Sequence, residues 1–109
     1  MSTNKSFSSE TSERYSRALF EVADETKEIE KIENDIKNFQ SLYNSSVEIR
    51  NFIKDPTQSK IIQNSLINLI AKKMGFSKNL LNFFLLLIEK RRIFFVNKIS
   101  ESFIKLCSK

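Results

Sequence analysis

Apolar residues recur at spacings of three and four along almost the whole chain, the signature of amphipathic helices. The first such segment predicts a helix from Ser9 to Thr26, with Tyr15, Ala18, Leu19 and Val22 on one stripe and Phe20 and Ala23 beside it. Together they are wider than one core-facing stripe needs. A second helix is predicted from Lys27 to Asn44, where Ile29, Ile32, Ile36, Phe39 and Tyr43 form a narrow seam and Glu28, Glu30, Lys31, Glu33 and Lys37 face solvent. A short third helix, Ser46 to Lys54, carries Val47, Ile49, Phe52 and Ile53. Ser45 and Glu48 have capping-box spacing. Asp55-Pro56 ends this helix, because the residue before a proline is pushed out of the α region.

The fourth helix is predicted from Thr57 to Met74, with a stripe of Ile62, Leu66, Leu69 and Ile70 flanked by Ile61 and Ile67. Lys72 and Lys73 suit the negative end of its dipole, and Gly75 suits the position just beyond. The fifth runs from Lys78 to Arg91, with Ser77 as its cap and Phe76 and Leu81 at staple spacing. Leu80, Leu81 and the run Phe83 to Ile88 leave it almost no polar face, so it must be covered on all sides. The sixth runs from Phe94 to Leu106, with Val96, Ile99, Phe103 and Leu106 as its seam and Lys98, Glu101 and Lys105 outward. The short connections favour antiparallel neighbours. The fold expected is all-α, a compact six-helix bundle over residues 9–109, preceded by a Ser-rich, disordered N-terminus over residues 1–8.

Composition supports this and removes most chemistry. A chain of 109 residues makes one domain with a modest core. One Gly and one Pro cannot supply the turns of a β-rich domain, nor a glycine-rich phosphate loop. The absence of His and the single Cys exclude His-based acid–base catalysis, an internal disulfide and a thiolate zinc site. Acidic pairs such as Glu30 and Glu33 lie on the solvated face. No catalytic residue, metal ligand or cofactor site is therefore assigned. The N-terminus has no apolar signal region. The longest apolar run, Phe83 to Ile88, is far short of the roughly 20 residues that span a bilayer.

Two features remain. The fifth helix is either a central helix covered all round, or it leaves one face open beside the surplus apolar face of the first, forming a groove for a partner's amphipathic helix. Charge is also uneven: residues 1–54 hold eight Lys/Arg and ten Asp/Glu, residues 55–109 ten and three. The basic clusters Lys72/Lys73 and Lys90/Arg91/Arg92 lie at helix C-termini, where the dipole accounts for them. Their alternative reading is an acidic partner or an RNA backbone.

Four stretches resemble one family in order and spacing. Arg14-Tyr15-Ser16-Arg17-Ala18-Leu19-Phe20-Glu21-Val22-Ala23 is similar to the first-helix signature of the delta subunit of bacterial F-type ATP synthases, whose mitochondrial counterpart is the oligomycin-sensitivity-conferring protein. Phe52-Ile53-Lys54-Asp55-Pro56, Asn82 to Ile93, and Ile99 with Phe103 and Leu106 follow in register. Ser16 stands where the family usually has Ala, Asp55 and Lys90 where it has Asn, and Leu85 where a polar residue is common.

The resemblance covers the family's N-terminal six-helix domain and leaves out its C-terminal domain, through which peripheral-stalk subunits are met. It implies a non-catalytic stator component of a proton-translocating ATP synthase. Such a component lies on the cytoplasmic, inner face of the bacterial membrane with no transmembrane segment of its own. It implies no cofactor, no metal and no direct nucleic-acid contact. The implied partner is the N-terminal amphipathic helix of an alpha subunit, received between the first and fifth helices by Tyr15, Ala18, Leu19, Val22, Phe83, Leu86, Leu87 and Lys90. Phe20 and Phe84 are assigned to the core. The alternative reading is an RNA-binding bundle of the antitermination-factor type, which the acidic first half disfavours.

Overall fold

The computed structural model describes residues 7–109. Six α-helices follow one another: α1 (Phe7–Glu25), α2 (Ile29–Ser45), α3 (Val47–Lys54), α4 (Lys60–Met74), α5 (Lys78–Glu89) and α6 (Val96–Cys107). A single 3-10 turn, Ile93–Phe95, leads into α6, and no strand occurs among the described residues. Of the disordered N-terminus expected over residues 1–8, residues 1–6 lie outside the described residues, and α1 already includes Phe7 and Ser8.

α6 is the spine of the bundle. α1 packs most extensively on it, and α2 packs on it from another side. α4 packs on α5, and α3 packs on the 3-10 turn. Most of each seam of α2 and α6 is buried as its periodicity predicts: Ile32, Ile36, Phe39, Tyr43, Val96, Ile99 and Phe103. Ile29 packs half-buried against the core, but Leu106, expected in the α6 seam, is only half-buried and lies outside it, and Ile104 and Cys107 pack on the core at that end of α6. Phe39 and Phe84 stack tilted with centroids 5.0 Å apart, joining α2 to α5 at the centre of the core.

The buried face of α1 differs from its apolar stripe. Ser12, Ser16, Leu19 and Ala23, with Thr11, are all sealed from solvent. Their spacing of four, three and four is helical, but hydroxyl side chains conceal it from a search for apolar residues. Ser16 is tolerated there because its hydroxyl donates to the Glu13 carbonyl at 2.9 Å. Small side chains on this face let α1 approach α6 closely.

α4 corrects the expected stripe. Gln63, Ile67, Ile70 and Ala71 are buried, whereas Ile62 and Leu69 are half exposed and Ile61 is 78 % exposed. α4 packs chiefly on α5, so one face is covered and the neighbouring apolar positions are not. α4 also starts at Lys60 and not Thr57, because the Asp55 carboxylate accepts both the Thr57 N–H at 2.9 Å and its hydroxyl at 2.6 Å. That turn holds the segment out of helix, and Ser59 becomes the cap, accepting the Ile62 N–H at 3.2 Å. An aspartate serves here as well as asparagine, since the turn needs only an acceptor.

The α3 cap shifts by one residue. Ser46, not Ser45, accepts the Ile49 N–H, while the Ser45 hydroxyl donates back to the Leu42 carbonyl. Three helices end in the same way, with one left-handed residue: Lys27 after α1, Gly75 after α4 and Arg91 after α5. In each case the N–H of the next residue reaches back five residues, from Glu28 to Ala23, Phe76 to Ala71 and Arg92 to Leu87. This pairing satisfies carbonyls that the last turn would leave open.

Candidate functional site

α5 is apolar nearly all round, and both alternatives for it hold in part. Leu80, Phe83, Phe84, Leu87 and Ile88 are buried, and Leu81 and Leu85 pack against the core. Leu86 alone among its large apolar side chains is exposed, at 44 %. It faces α1, where Val22 is exposed to a similar extent.

Between them lies an open concavity of about 300 Å³, lined by Tyr15, Ala18, Leu19 and Val22 from α1 and Asn79, Asn82, Phe83 and Leu86 from α5. Leu19 and Phe83, both buried, form its floor. Tyr15 and Phe83 meet edge to face across it, with ring centroids 6.3 Å apart and planes at 71°. Edge-to-face is one of the two arrangements that the ring quadrupoles favour.

Six of the eight residues singled out from sequence are thus gathered in one place. The other two are not. Leu87 is fully buried and belongs to the core, and Lys90 lies past the last turn of α5 as its C-cap. The reason is the period of α5: Asn79, Asn82, Phe83 and Leu86 are separated by three, one and three residues and share a face. Leu87 falls instead on the core side with Leu80 and Phe84. Asn79 and Asn82 are polar, so hydrophobic spacing does not mark them as groove residues. Phe84 is buried, as assigned, and Phe20 packs partly buried against Phe103 with centroids 6.2 Å apart.

The pitch of α5 against α1 is held from the opposite side by α2. Ser77 caps α5, its hydroxyl oxygen accepting the Asn79 N–H at 3.1 Å. The Ser77 hydroxyl donates to Glu28 at 2.7 Å, and the Asn79 side-chain amide donates to the same carboxylate oxygen at 3.1 Å. The Ser77 N–H donates to the buried Asp35 carboxylate, and Lys31 bridges Asp35 at 3.0 Å to the Gly75 carbonyl at 2.7 Å. Glu28 and Lys31, expected on a solvated face, therefore bind the α4–α5 turn. Hydrogen bonds from Ser77 and then Asn79 hold the Glu28 carboxyl below its ordinary range; burial opposes them and Lys31 assists.

No cluster of potential metal ligands occurs among the described residues. Burial, aided by Glu33 and opposed by Lys37, pushes the Cys107 thiol up to about 11, which leaves it unreactive at neutral pH. In the basic cluster after α5, Arg91 donates to the Gln58 carbonyl at 2.8 Å, tying that cluster to the α3–α4 turn. No helix is long and apolar enough to cross a membrane among the described residues.

A family model described as "ATP synthase delta (OSCP) subunit" matches residues 11–109. The chain belongs to the ATP synthase delta (OSCP) subunit family. It is 39 % identical to ATP synthase subunit delta of Pelagibacter ubique over 108 residues, which is 99 % of this chain and 58 % of that relative. The subunit delta of Microcystis aeruginosa is 33 % identical over 91 % of this chain and 54 % of its own length. That of Paramagnetospirillum magneticum is 29 % identical over 84 % and 50 %. The chain spans about half the length of the curated relatives it matches. The matched region takes in all of the concavity's residues on both helices.

Proposed function

We propose that this chain is a non-catalytic binding module of an ATP synthase stator. The concavity between α1 and α5 seats the N-terminal amphipathic helix of an alpha subunit, and the domain thereby helps hold the catalytic head against the torque of the rotating shaft. The observation that carries this reading is the shared lining of the concavity: apolar side chains from two helices at helical spacing, open to solvent, on a domain of this family. An amphipathic helix offers the complementary stripe. Each large side chain it buries contributes roughly 1.5–3 kcal/mol, partly offset by ordering of the helix. The work is done by affinity and not by chemistry. The complex is peripheral to the inner face of the membrane in this reading.

The test is a calorimetric titration with a synthetic alpha-subunit N-terminal peptide of about 22 residues, roughly 33 Å long as a helix. The expected result is saturable one-to-one binding that persists at high salt, because apolar contact is not screened. No binding at high protein concentration, or binding abolished by salt, overturns the reading.

A further inference from the structure

The concavity carries a polar group for which an apolar groove has no use. Two of its eight lining residues are asparagines. Asn79 is committed, its side-chain amide donating to Glu28. Asn82 lies three residues on, is exposed, and its carboxamide finds no hydrogen-bond partner among the described residues. It stands beside Phe83 on the face that also carries Leu86, inside the footprint of any helix seated there.

We propose that Asn82 sets the register of the seated helix by pairing with one polar group on that helix's otherwise apolar face. The inference rests on the groove reading above. In the free protein, water satisfies the carboxamide, and a docking helix displaces that water. Covered by an alkyl surface, the amide would lose its partners and gain none; facing a polar group, it regains them. A carboxamide both donates and accepts, so its counterpart is a hydroxyl, an amide or a carbonyl. Apart from Asn79, whose amide is already bonded to Glu28, and the hydroxyl of Tyr15, the remaining lining is alkyl and ring surface, which tolerates a helix slid by one turn. A single asparagine in an apolar seam does not tolerate it, because every shifted register buries it unpaired. The occupant is therefore an amphipathic helix whose apolar stripe is interrupted once, opposite Asn82.

The test compares the wild type, Asn82→Leu and Leu86→Ala in titrations with the same alpha-subunit N-terminal peptide at high salt. Leucine nearly matches asparagine in shape and adds apolar surface. If the groove reads only apolar area, Asn82→Leu binds as well as the wild type or more tightly, and that outcome overturns the inference while leaving the groove intact. If Asn82 fixes register, Asn82→Leu binds about tenfold more weakly, despite its greater hydrophobicity. Alanine substitution along the peptide then identifies one polar position whose loss matters for the wild type and not for Asn82→Leu. A merely structural role for Asn82 would not produce that coupling. Absence of any binding by the wild type overturns the groove reading and the register with it. Far-UV circular dichroism of both variants confirms that the bundle is intact.

Discussion

The Asp35 carboxylate on α2 accepts the backbone N–H of Ser77, 42 residues away in sequence, at 2.8 Å. Asp35 is 2 % exposed, and this bond fixes the first residue before α5 to the middle of α2. The register of α5, and hence the direction in which Asn82 and Leu86 point, begins at this contact. Asp35→Ala leaves a buried N–H unpaired and releases Lys31. A loss of about 2–3 kcal/mol is expected in urea unfolding, with Asp35→Asn losing less because the amide oxygen still accepts.

Glu28 makes the same turn sensitive to acid. Its folded pKa lies below the ordinary value of 4.5, held there first by Ser77 and then by Asn79. A depressed carboxylate pKa contributes stability that is fully present above the unfolded value and fades as pH falls through the folded one. Thermal unfolding from about pH 6 to about pH 3 should therefore show wild type above Glu28→Gln at the upper end, with the two curves converging in acid. Parallel curves would mean that the carboxylate charge is not what Ser77 and Asn79 recognise.

Leu86 and Leu87 are neighbours with opposite fates. Leu87 is fully buried and Leu86 is 44 % exposed. Leu87→Ala opens a core cavity and should cost about 2–5 kcal/mol. Leu86→Ala should cost under about 1 kcal/mol of stability and act instead on peptide binding. Paired measurements of unfolding and peptide affinity separate the core face of α5 from the face it presents.

Lys27 is held at φ 59°, where a side chain is strained. Lys27→Gly relieves that strain, against glycine's greater freedom when unfolded, and should stabilise by roughly 0.5–1 kcal/mol. Arg91, at φ 58°, should gain less from the same change, because Arg91→Gly also removes the bond to the Gln58 carbonyl. Denaturation midpoints of the two variants give the comparison.

The helices themselves were legible in the chain, and so was most of the candidate groove. Tyr15, Ala18, Leu19 and Val22 fall on one stripe by spacing alone, whereas the surplus of apolar residues on α5 fits a helix covered all round as well as one with an open face. The Ser12–Ser16 face of α1 was not legible, because burial of hydroxyls depends on how closely α6 approaches. Nor was the outward turn of Ile62 and Leu69, since apolar spacing is the same whether or not a neighbour covers it.

By itself, the sequence determined that this chain folds as six helices, where most of them stop, and that it carries no histidine, glycine loop or thiol pair for chemistry. These are properties of local spacing and of residue type, and they need no knowledge of distant contacts. The tertiary structure alone decided which side of each helix is covered. Periodicity defines a stripe but not what packs against it. The hydrogen bonds from α2 to the α4–α5 turn connect residues more than 40 positions apart, and they orient α5 so that Leu87 enters the core while Asn82 and Leu86 look toward α1.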